Sequence, residues 1–493
     1  MTYHLDNVAL NVCNMWTRMP FRYGIAMLTA LPHLFVQATF SVGGQRTQGL
    51  AADGLAPKWF TKNPDQTLEH ELAQMFAVVR AAAEHAREID PAETVFAWWQ
   101  QLYQHQKQWG EQQNLPALLS NWGVSLIERA AIDAHCRARG VCFAEAVRDG
   151  SLGIDLGAIH PELDGSQPHD WLPAQPRRRI DVRHTVGLAD PLTDEQIAPE
   201  DQLADGLPQS LEACIRTYGL RYFKIKVPAE PEIAIDRLHH IATVLGNNCQ
   251  SFAFTLDGNE FFHDLSGFRQ LWDRLRANPV LANWFDQGLL FVEQPLHRDV
   301  AMSSQTAHAF ADWPDRPPMV IDESDATIQS LPDALACGYA GTSHKNCKGI
   351  FKGLANACLL ANRRAQQPQA HAILSGEDLA NVGPVALLQD FAVAATLGLD
   401  HVERNGHHYF AGLSALPLEL QRHSLEHHGD LYHWHHHPGD PDVGFASLTI
   451  RDGAVRLDSV LDAPFGYQLD IDPTQFTPLE QWRFESLDPA SAD

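Results

Sequence analysis

The stretch Tyr222-Phe223-Lys224-Ile225-Lys226-Val227 decides how this sequence is read: a short alternating run that closes on charge and is followed by helical periodicity. Seven more short apolar runs ending in polar or charged residues share the pattern, at 180–182, 251–256, 289–292, 319–321, 342–344, 370–374 and 399–402. Their spacing, mostly between about 20 and 45 residues, is that of a strand plus its crossover helix. Eight such units specify a closed TIM-type (β/α) barrel better than an open sheet.

Working outward, the region before the barrel has a different texture. Leu34-Phe35-Val36-Gln37-Ala38-Thr39-Phe40 alternates and runs into Gly43-Gly44, a strand-and-turn signal. From about 67 to 140 the pattern is helical; Leu126, Ile127, Ala130, Ala131 and Ala134 recur at helical spacing, and Gly140 after Arg137 and Arg139 marks a stop. Residues 151–178 hold several Pro and Gly without periodicity and form a long connection. After the barrel, Phe445-Ala446-Ser447-Leu448-Thr449-Ile450, an Asp452-Gly453 turn and Ala454-Val455-Arg456-Leu457 predict a hairpin that packs back on the N-terminal region. The expected organisation is an α+β capping domain over 1–178, a barrel over 179–415, and a segment over 416–493 that completes the capping domain.

The bulk properties suit a globular protein. At 493 residues the chain can bury a large core, and 45% hydrophobic with 20% charged residues argues against disorder. A net charge of −25 argues against nucleic acid or an anionic membrane as partner, because phosphate binding draws on Lys and Arg clusters. It does not argue against a small anionic substrate, since a metal and a few buried cations invert the local field. Eight scattered cysteines without a Cys-x-x-Cys pair fit reduced thiols. No signal-peptide pattern opens the chain and no apolar run approaches about 18 residues, so a cytoplasmic location is expected.

Barrels of this kind place catalytic groups where strands end. Applied here, the rule collects Lys224 and Lys226 from the second strand, Asp257-Gly258-Asn259 from the third and Glu293-Gln294-Pro295 from the fourth. Asp322-Glu323-Ser324 follows from the fifth strand and Lys345 from the sixth. Each piece alone has an ordinary reading: Lys-x-Lys as a solvated strand face, Asp-Gly-Asn as a turn. Their appearance in order, once per repeat, is hard to reconcile with that. Three carboxylates at successive strand ends suit Mg²⁺, which prefers hard oxygen ligands and keeps open positions. A divalent cation stabilises the enediolate formed when a proton leaves the carbon next to a carboxylate. Lys226, beside Lys224 and the metal, is the expected base, and Lys345 serves from the opposite face.

The ordered set Lys224-x-Lys226, Asp257-x-Asn259, Glu293-x-Pro295, Asp322-Glu323-Ser324, Lys345 resembles the enolase superfamily, and within it the muconate-lactonising-enzyme-like subgroup. Phe21-Arg22-Tyr23-Gly24, Ile127-Glu128-Arg129-Ala130-Ala131-Ile132-Asp133 and Asp452-Gly453…Pro464-Phe465-Gly466 resemble the family's capping-domain patterns. The resemblance implies a capping domain on a modified barrel, Mg²⁺ held by Asp257, Glu293 and Asp322, a base pair of Lys226 and Lys345, and Lys224 as electrostatic helper. It also places Arg22 and Lys58-Trp59 in loops that close over substrate, and makes Asn259 and Glu323 candidate substrate contacts. Family barrels often assemble, so a homo-oligomer is a further expectation. His371 begins the seventh strand rather than ending it, which speaks against the branches that use a strand-seven histidine.

Departures from the family pattern concern specificity. Lys345 is followed by Asn346-Cys347-Lys348-Gly349-Ile350-Phe351-Lys352-Gly353 where a compact Gly-Gly turn is usual. Strand seven runs into Ser375-Gly376-Glu377-Asp378 and strand eight into Glu403-Arg404-Asn405-Gly406, neither matching a substrate signature. The chain is also about 100 residues longer than usual, chiefly near 60–120 and 150–178. Elsewhere, the histidines over 423–437 form an exposed, adventitious metal-binding tract, and Trp98, Trp99, Trp109 and Tyr103 are helix packing. The leading functional reading is an isomerase acting on a small carboxylate by racemisation, epimerisation or cycloisomerisation. Its alternatives are a lyase (a dehydratase, or one like o-succinylbenzoate synthase) that uses the same enediolate, and a non-catalytic metal-binding homologue.

Overall fold

The computed structural model of the chain describes residues 2–23 and 26–489; Gly24 of the Phe21-Arg22-Tyr23-Gly24 segment lies outside the described residues. Three antiparallel strands open the fold: β1 (Tyr3–Tyr23), β2 (Ala26–Val42) and β3 (Gln45–Gly54). The alternating run around Leu34 lies in β2, and the Gly43-Gly44 turn joins β2 to β3. Three helices cover this sheet: α1 (Leu68–Glu88), α2 (Val95–Gln112) and α3 (Ala117–Arg139). The Thr67 and Thr94 hydroxyls cap the first two by accepting from the His70 and Ala97 N–H groups, and Gly140, at φ 65°, ends the third.

Helix α3 is sandwiched so tightly that glycine is required opposite it. A Cβ on Gly49 of β3 would lie 1.9 Å from the Ala130 carbonyl oxygen. The same closeness explains why an otherwise apolar helix carries buried charge. Glu128 accepts from the Ile350 and Phe351 N–H groups (3.1 and 2.7 Å) at the start of the helix Ile350–Gln366. Arg129 pairs with Asp53 of β3 at 2.8 Å, and Asp133 accepts from the Leu50 N–H and the Tyr467 hydroxyl. These residues of the 127–133 segment therefore tie α3 to the sheet, the tail and the helix that follows Lys345. Trp98 and Trp99 are buried, and Trp99 packs on Tyr103 and Phe351 as a core residue.

The barrel strands are β4 (Arg179–Val186), β5 (Tyr222–Lys226), β6 (Ala253–Asp257), β7 (Leu289–Glu293), β8 (Met319–Ile321), β9 (Gly341–His344), β10 (Ile373–Gly376) and β11 (His401–Arg404). All pair in parallel with their neighbours in sequence, and β11 pairs in parallel with β4 to close the ring. Each of the eight sequence runs overlaps one strand. The seventh lies later than the run at 370–374 suggests. Its partner β9 begins at Gly341, which pairs with Ile373, so 370–372 have no ladder to join. On β5 the fully buried Phe223 and Ile225 alternate with the lysines, each apolar side chain contributing about 1.5–3 kcal/mol of burial.

The tail corrects one expectation. Phe445 to Leu448 belong to β13 (Asp440–Leu448), which pairs with β12 (Tyr432–His437), so His433, His435, His436 and His437 lie on one arm of this separate hairpin. The rest of the expected exposed tract does not, since His423 and His427 sit in the helix Leu418–His427 and His428 is buried. β14 (Ala454–Arg456) turns at Asp452-Gly453 and pairs antiparallel with residues 179–181 of β4, which lie outside the β5 ladder that starts at Arg183. The Asp-Gly signal marks the turn correctly, but the open edge of β4 takes the strand that follows. Contact with the N-terminal sheet comes later, where β15 (Thr477–Pro478) pairs with Asn11 and Val12 and Trp16 donates to the Leu487 carbonyl. The barrel thus carries an α+β cap built from the N-terminal region and the C-terminal tail. All eight cysteines are free thiols. Among the described residues no helix is long and apolar enough to cross a membrane.

Candidate active site

Alternation on β5 turns Lys224 and Lys226 into the barrel mouth, where their ammonium groups meet carboxylates from four other strand ends. Lys224 Nζ lies 2.7 Å from Glu293, 2.9 Å from Glu377, 3.0 Å from Glu403 and 3.1 Å from Asp257. Lys226 Nζ donates to Asp257 at 2.5 Å and to the Asn259 side-chain oxygen at 3.0 Å. Lys345 Nζ donates to both Asp322 oxygens (2.8 and 2.9 Å) and to Glu377 at 2.6 Å. Every one of these groups is at least nine-tenths buried.

Second interactions hold the set in place. Arg183 of β4 donates to Glu377 at 3.1 Å, Ser375 to Glu377 at 2.8 Å, and Thr185 to Glu403 at 2.7 Å. Lys348, one helical step beyond Lys345, donates to Asp322 Oδ1 and its carbonyl oxygen, both at 2.8 Å. Gln294 accepts from the Asp322 N–H at 2.8 Å and donates to Ser324 at 2.6 Å, so the residue between Glu293 and Pro295 orients the next strand end. The Trp59 ring lies 5.0 Å from Lys345 Nζ.

Electrostatics follows from crowding. Burial works against the charged form throughout, but Asp322, beside Lys345 and Lys348, is held well below the ordinary carboxylate range. Glu377 is likewise held low by Lys224 and Lys345, and both lysines are raised well above their usual values. Glu293 goes the other way: burial, then Asp257 and Glu377, push it well up, because Lys224 is shared among four carboxylates. Burial is the largest influence on Lys226 and lowers it, yet Asp257 together with Glu403 and Glu293 outweighs it and the net shift is upward. The simple expectation of a depressed Lys226 therefore does not hold while Asp257 points at it. Glu323 is pushed up to about 8 by burial and by Asp322.

The mouth opens into a cavity lined by Lys224, Lys226, Asp322, Glu323, Lys345 and Glu403, together with the apolar side chains of Phe21, Leu28, Trp59 and Leu379. Among the sequence candidates, Lys224, Lys226, Asp322, Glu323, Lys345 and Trp59 line this space, and Asp257, Glu293 and Asn259 sit at its floor through their bonds to the lysines. Arg22 is exposed and does not line the cavity; its neighbour Phe21 does. Lys58 is drawn away to Glu71 and the Asn63 and Gln66 carbonyls. His371 precedes β10 and is exposed.

Carboxylate oxygens of Glu293, Asp322 and Glu377 lie within 4.8 Å of one another. Asp257 joins the cluster through Lys224 and Lys226. One Glu293 oxygen is buried without a hydrogen-bond partner, and that carboxyl is short of positive charge; both observations fit a hard divalent cation at this place. Glu377, Glu403, Arg183 and Lys348 have no role in the sequence-based site. The first two stand at the ends of strands seven and eight, and the strand-end rule applied to them as to the others finds them.

No protein-family model and no curated sequence matches the chain. Its structure is similar to that of 2-chloromuconate cycloisomerase from Rhodococcus opacus 1CP (TM-score 0.59, 14% identity, 96% of this chain and 99% of that one). It is similar as well to N-succinyl Arg/Lys racemase from Bacillus cereus ATCC 14579 (TM-score 0.54, 15% identity, 83% and 89%). A third is an enolase from Bradyrhizobium complexed with magnesium and mandelic acid (TM-score 0.54, 14% identity, 92% and 94%). At these identities the likeness is one of fold, and it spans nearly the whole of each partner. The capped-barrel fold that the resemblance implies is thus met in three dimensions: the chain has the fold of muconate lactonizing enzyme, 2-chloromuconate cycloisomerase and mandelate racemase/muconate lactonizing protein structures.

Proposed function

We propose that the chain is an enzyme that removes a proton from the carbon next to a carboxylate, giving racemisation, epimerisation or cycloisomerisation. The observation that carries this reading is the mouth itself: Lys226 and Lys345 line one cavity, each tied to a different carboxylate of a buried acidic cluster. The fold it shares with racemases and cycloisomerases supports the same kind of reaction.

Asp257, Glu293 and Asp322 would hold Mg²⁺, with Glu377 in reach of the same centre. When bound, the ion supplies charge stabilisation for the enediolate. The chain's own groups do the rest. Lys226 takes the α-proton, and an Asp257 no longer devoted to its ammonium leaves desolvation free to lower its pKa toward that of a base. Lys345 holds or returns a proton at the other face, and Lys224 keeps three glutamates and Asp257 in register. The apolar wall of Phe21, Leu28, Trp59 and Leu379 excludes water and favours a substrate with an apolar portion beside its carboxylate.

The test is α-proton exchange in D₂O, followed by NMR, with Mg²⁺ and a panel of N-acyl amino acids, dipeptides and lactones. Exchange is expected for at least one carboxylate, at unchanged product mass. Loss of water from the product moves the assignment to a lyase. Absence of exchange across the panel, or a Lys226→Ala variant that exchanges as fast as the wild type, sinks the mechanism.

A further inference from the structure

Arg183 and Thr185 of β4 reach into the barrel mouth, so His184 between them points outward. There it meets the helix Leu211–Tyr218, which follows β4, and the short helix Gly406–Tyr409, which follows β11. Cys214 Sγ lies 3.5 Å from His408 Nδ1, and one donor atom from each of His184, Cys214 and His408 lies within 4.8 Å of the other two. All three side chains are buried, at 2%, 0% and 2% exposure. Among the described residues their side-chain hydrogen bonds run among themselves and to His407, whose Nε2 is 3.2 Å from His184 Nδ1. The other ring nitrogen of His407, Nδ1, is buried without a partner.

The chemistry of this cluster differs from that of the mouth. It offers two imidazoles and a thiol, the soft and borderline donors that zinc-class ions select over magnesium. Around a tetrahedral zinc, bond lengths of about 2.0–2.1 Å to nitrogen and about 2.3 Å to sulfur put those two ligand atoms about 3.5 Å apart. The Cys214–His408 separation of 3.5 Å matches that spacing. We propose that His184, Cys214 and His408 form a buried site for a zinc-class divalent ion, with His407 fixing the orientation of His184. On binding, the sulfur–metal bond forms as the S–H bond breaks, and the proton leaves to solvent. The ion would join β4, the helix after it and the segment after β11, which is the seam where the first and last strands close the ring.

Cobalt substitution reads this site apart from the mouth. Protein stripped with a chelator, supplied with excess Mg²⁺ and titrated with Co²⁺ should develop a thiolate-to-cobalt charge-transfer band in the near ultraviolet. Tetrahedral d–d bands should rise with it, saturating at one ion per chain. Cys214→Ser should lose the charge-transfer band while keeping the wild-type circular dichroism. A wild type without that band, or a Cys214→Ser variant that retains it, overturns the proposal. Should Cys214→Ser not fold, zinc-edge X-ray absorption of zinc-loaded wild type decides. One sulfur among nitrogen neighbours is expected, and a shell without sulfur overturns the site. Neither readout depends on catalytic activity.

Discussion

The two faces of the barrel wall carry opposite chemistry on the same strands. On β4, Arg183 and Thr185 turn inward to Glu377 and Glu403, whereas His184 turns outward to His407 and lies beside Cys214 and His408. On β9 and the residue after it, Ser343 and Lys345 turn inward to Asp322, whereas His344 turns outward to Asn346. Both faces are buried. Inside, Lys345 and Asp322 compensate one another and stay charged; outside, among the described residues no carboxylate pairs with the His184 and His344 imidazoles and burial keeps them neutral. Equal burial thus yields an ionic site or a neutral donor site, depending only on what partners the ring brings near.

The largest effect is expected on the inner face. Lys226→Ala or Lys345→Ala should lower α-proton exchange by roughly 10²–10⁴-fold, as loss of a general acid–base group does, with the melting temperature monitored alongside. Next comes Glu377→Gln, which strips a shared partner from Lys224, Lys345 and Arg183. Lys224 and Lys345 keep other carboxylates, but Arg183 is left with none among the described residues, and a buried cation without its anionic partner should cost about 3–5 kcal/mol in urea unfolding. A variant as stable as wild type would show that the inner charges are less coupled than their distances imply.

The outer face should report itself through pH. Burial lowers His344 to about 4, below the 6.5 of an unfolded histidine. Below pH 6.5 the unfolded chain takes up a proton that the folded state refuses, so stability falls as pH drops. Between about pH 7 and about pH 5 the loss should be about 2 kcal/mol for one such imidazole, and His344→Gln should remove that part of the slope. The smallest effect belongs to a charge pair in water. Arg216 and Asp194 are 2.9 Å apart but about half exposed, so Arg216→Gln should change stability by less than about 1 kcal/mol. A larger change would mean that burial does not set the value of these pairs.

Much of the site was readable before any coordinates. Asp257, Glu293, Asp322 and Lys345 each come one residue after an apolar run, Lys224 and Lys226 alternate within theirs, and a closed parallel barrel brings strand ends together whatever the loops do. Glu377 and Glu403 obey the same rule, but nothing local separates them from loop acids. Their role comes from reaching Lys224 across the ring, at 153 and 179 residues' separation. Arg22 illustrates the reverse, since motif placement expects it in a loop that closes over substrate, whereas its neighbour Phe21 is the one that lines the cavity. The tail hairpin failed for a related reason, because a turn signal names no pairing partner.

Sequence by itself determined what is local and repetitive: the number of strand–helix units, the alternation that sends both β5 lysines the same way, the helix caps, and the order of charged strand ends. Tertiary structure alone decided which carboxylate each ammonium meets, that Asp257 raises rather than spares Lys226, and that His184, Cys214 and His408 share one buried spot. The physical reason is that periodicity and capping depend on neighbours within a few residues. Charge pairing and donor clustering depend on distances of a few ångströms between strands far apart in the chain, and ring closure sets those distances.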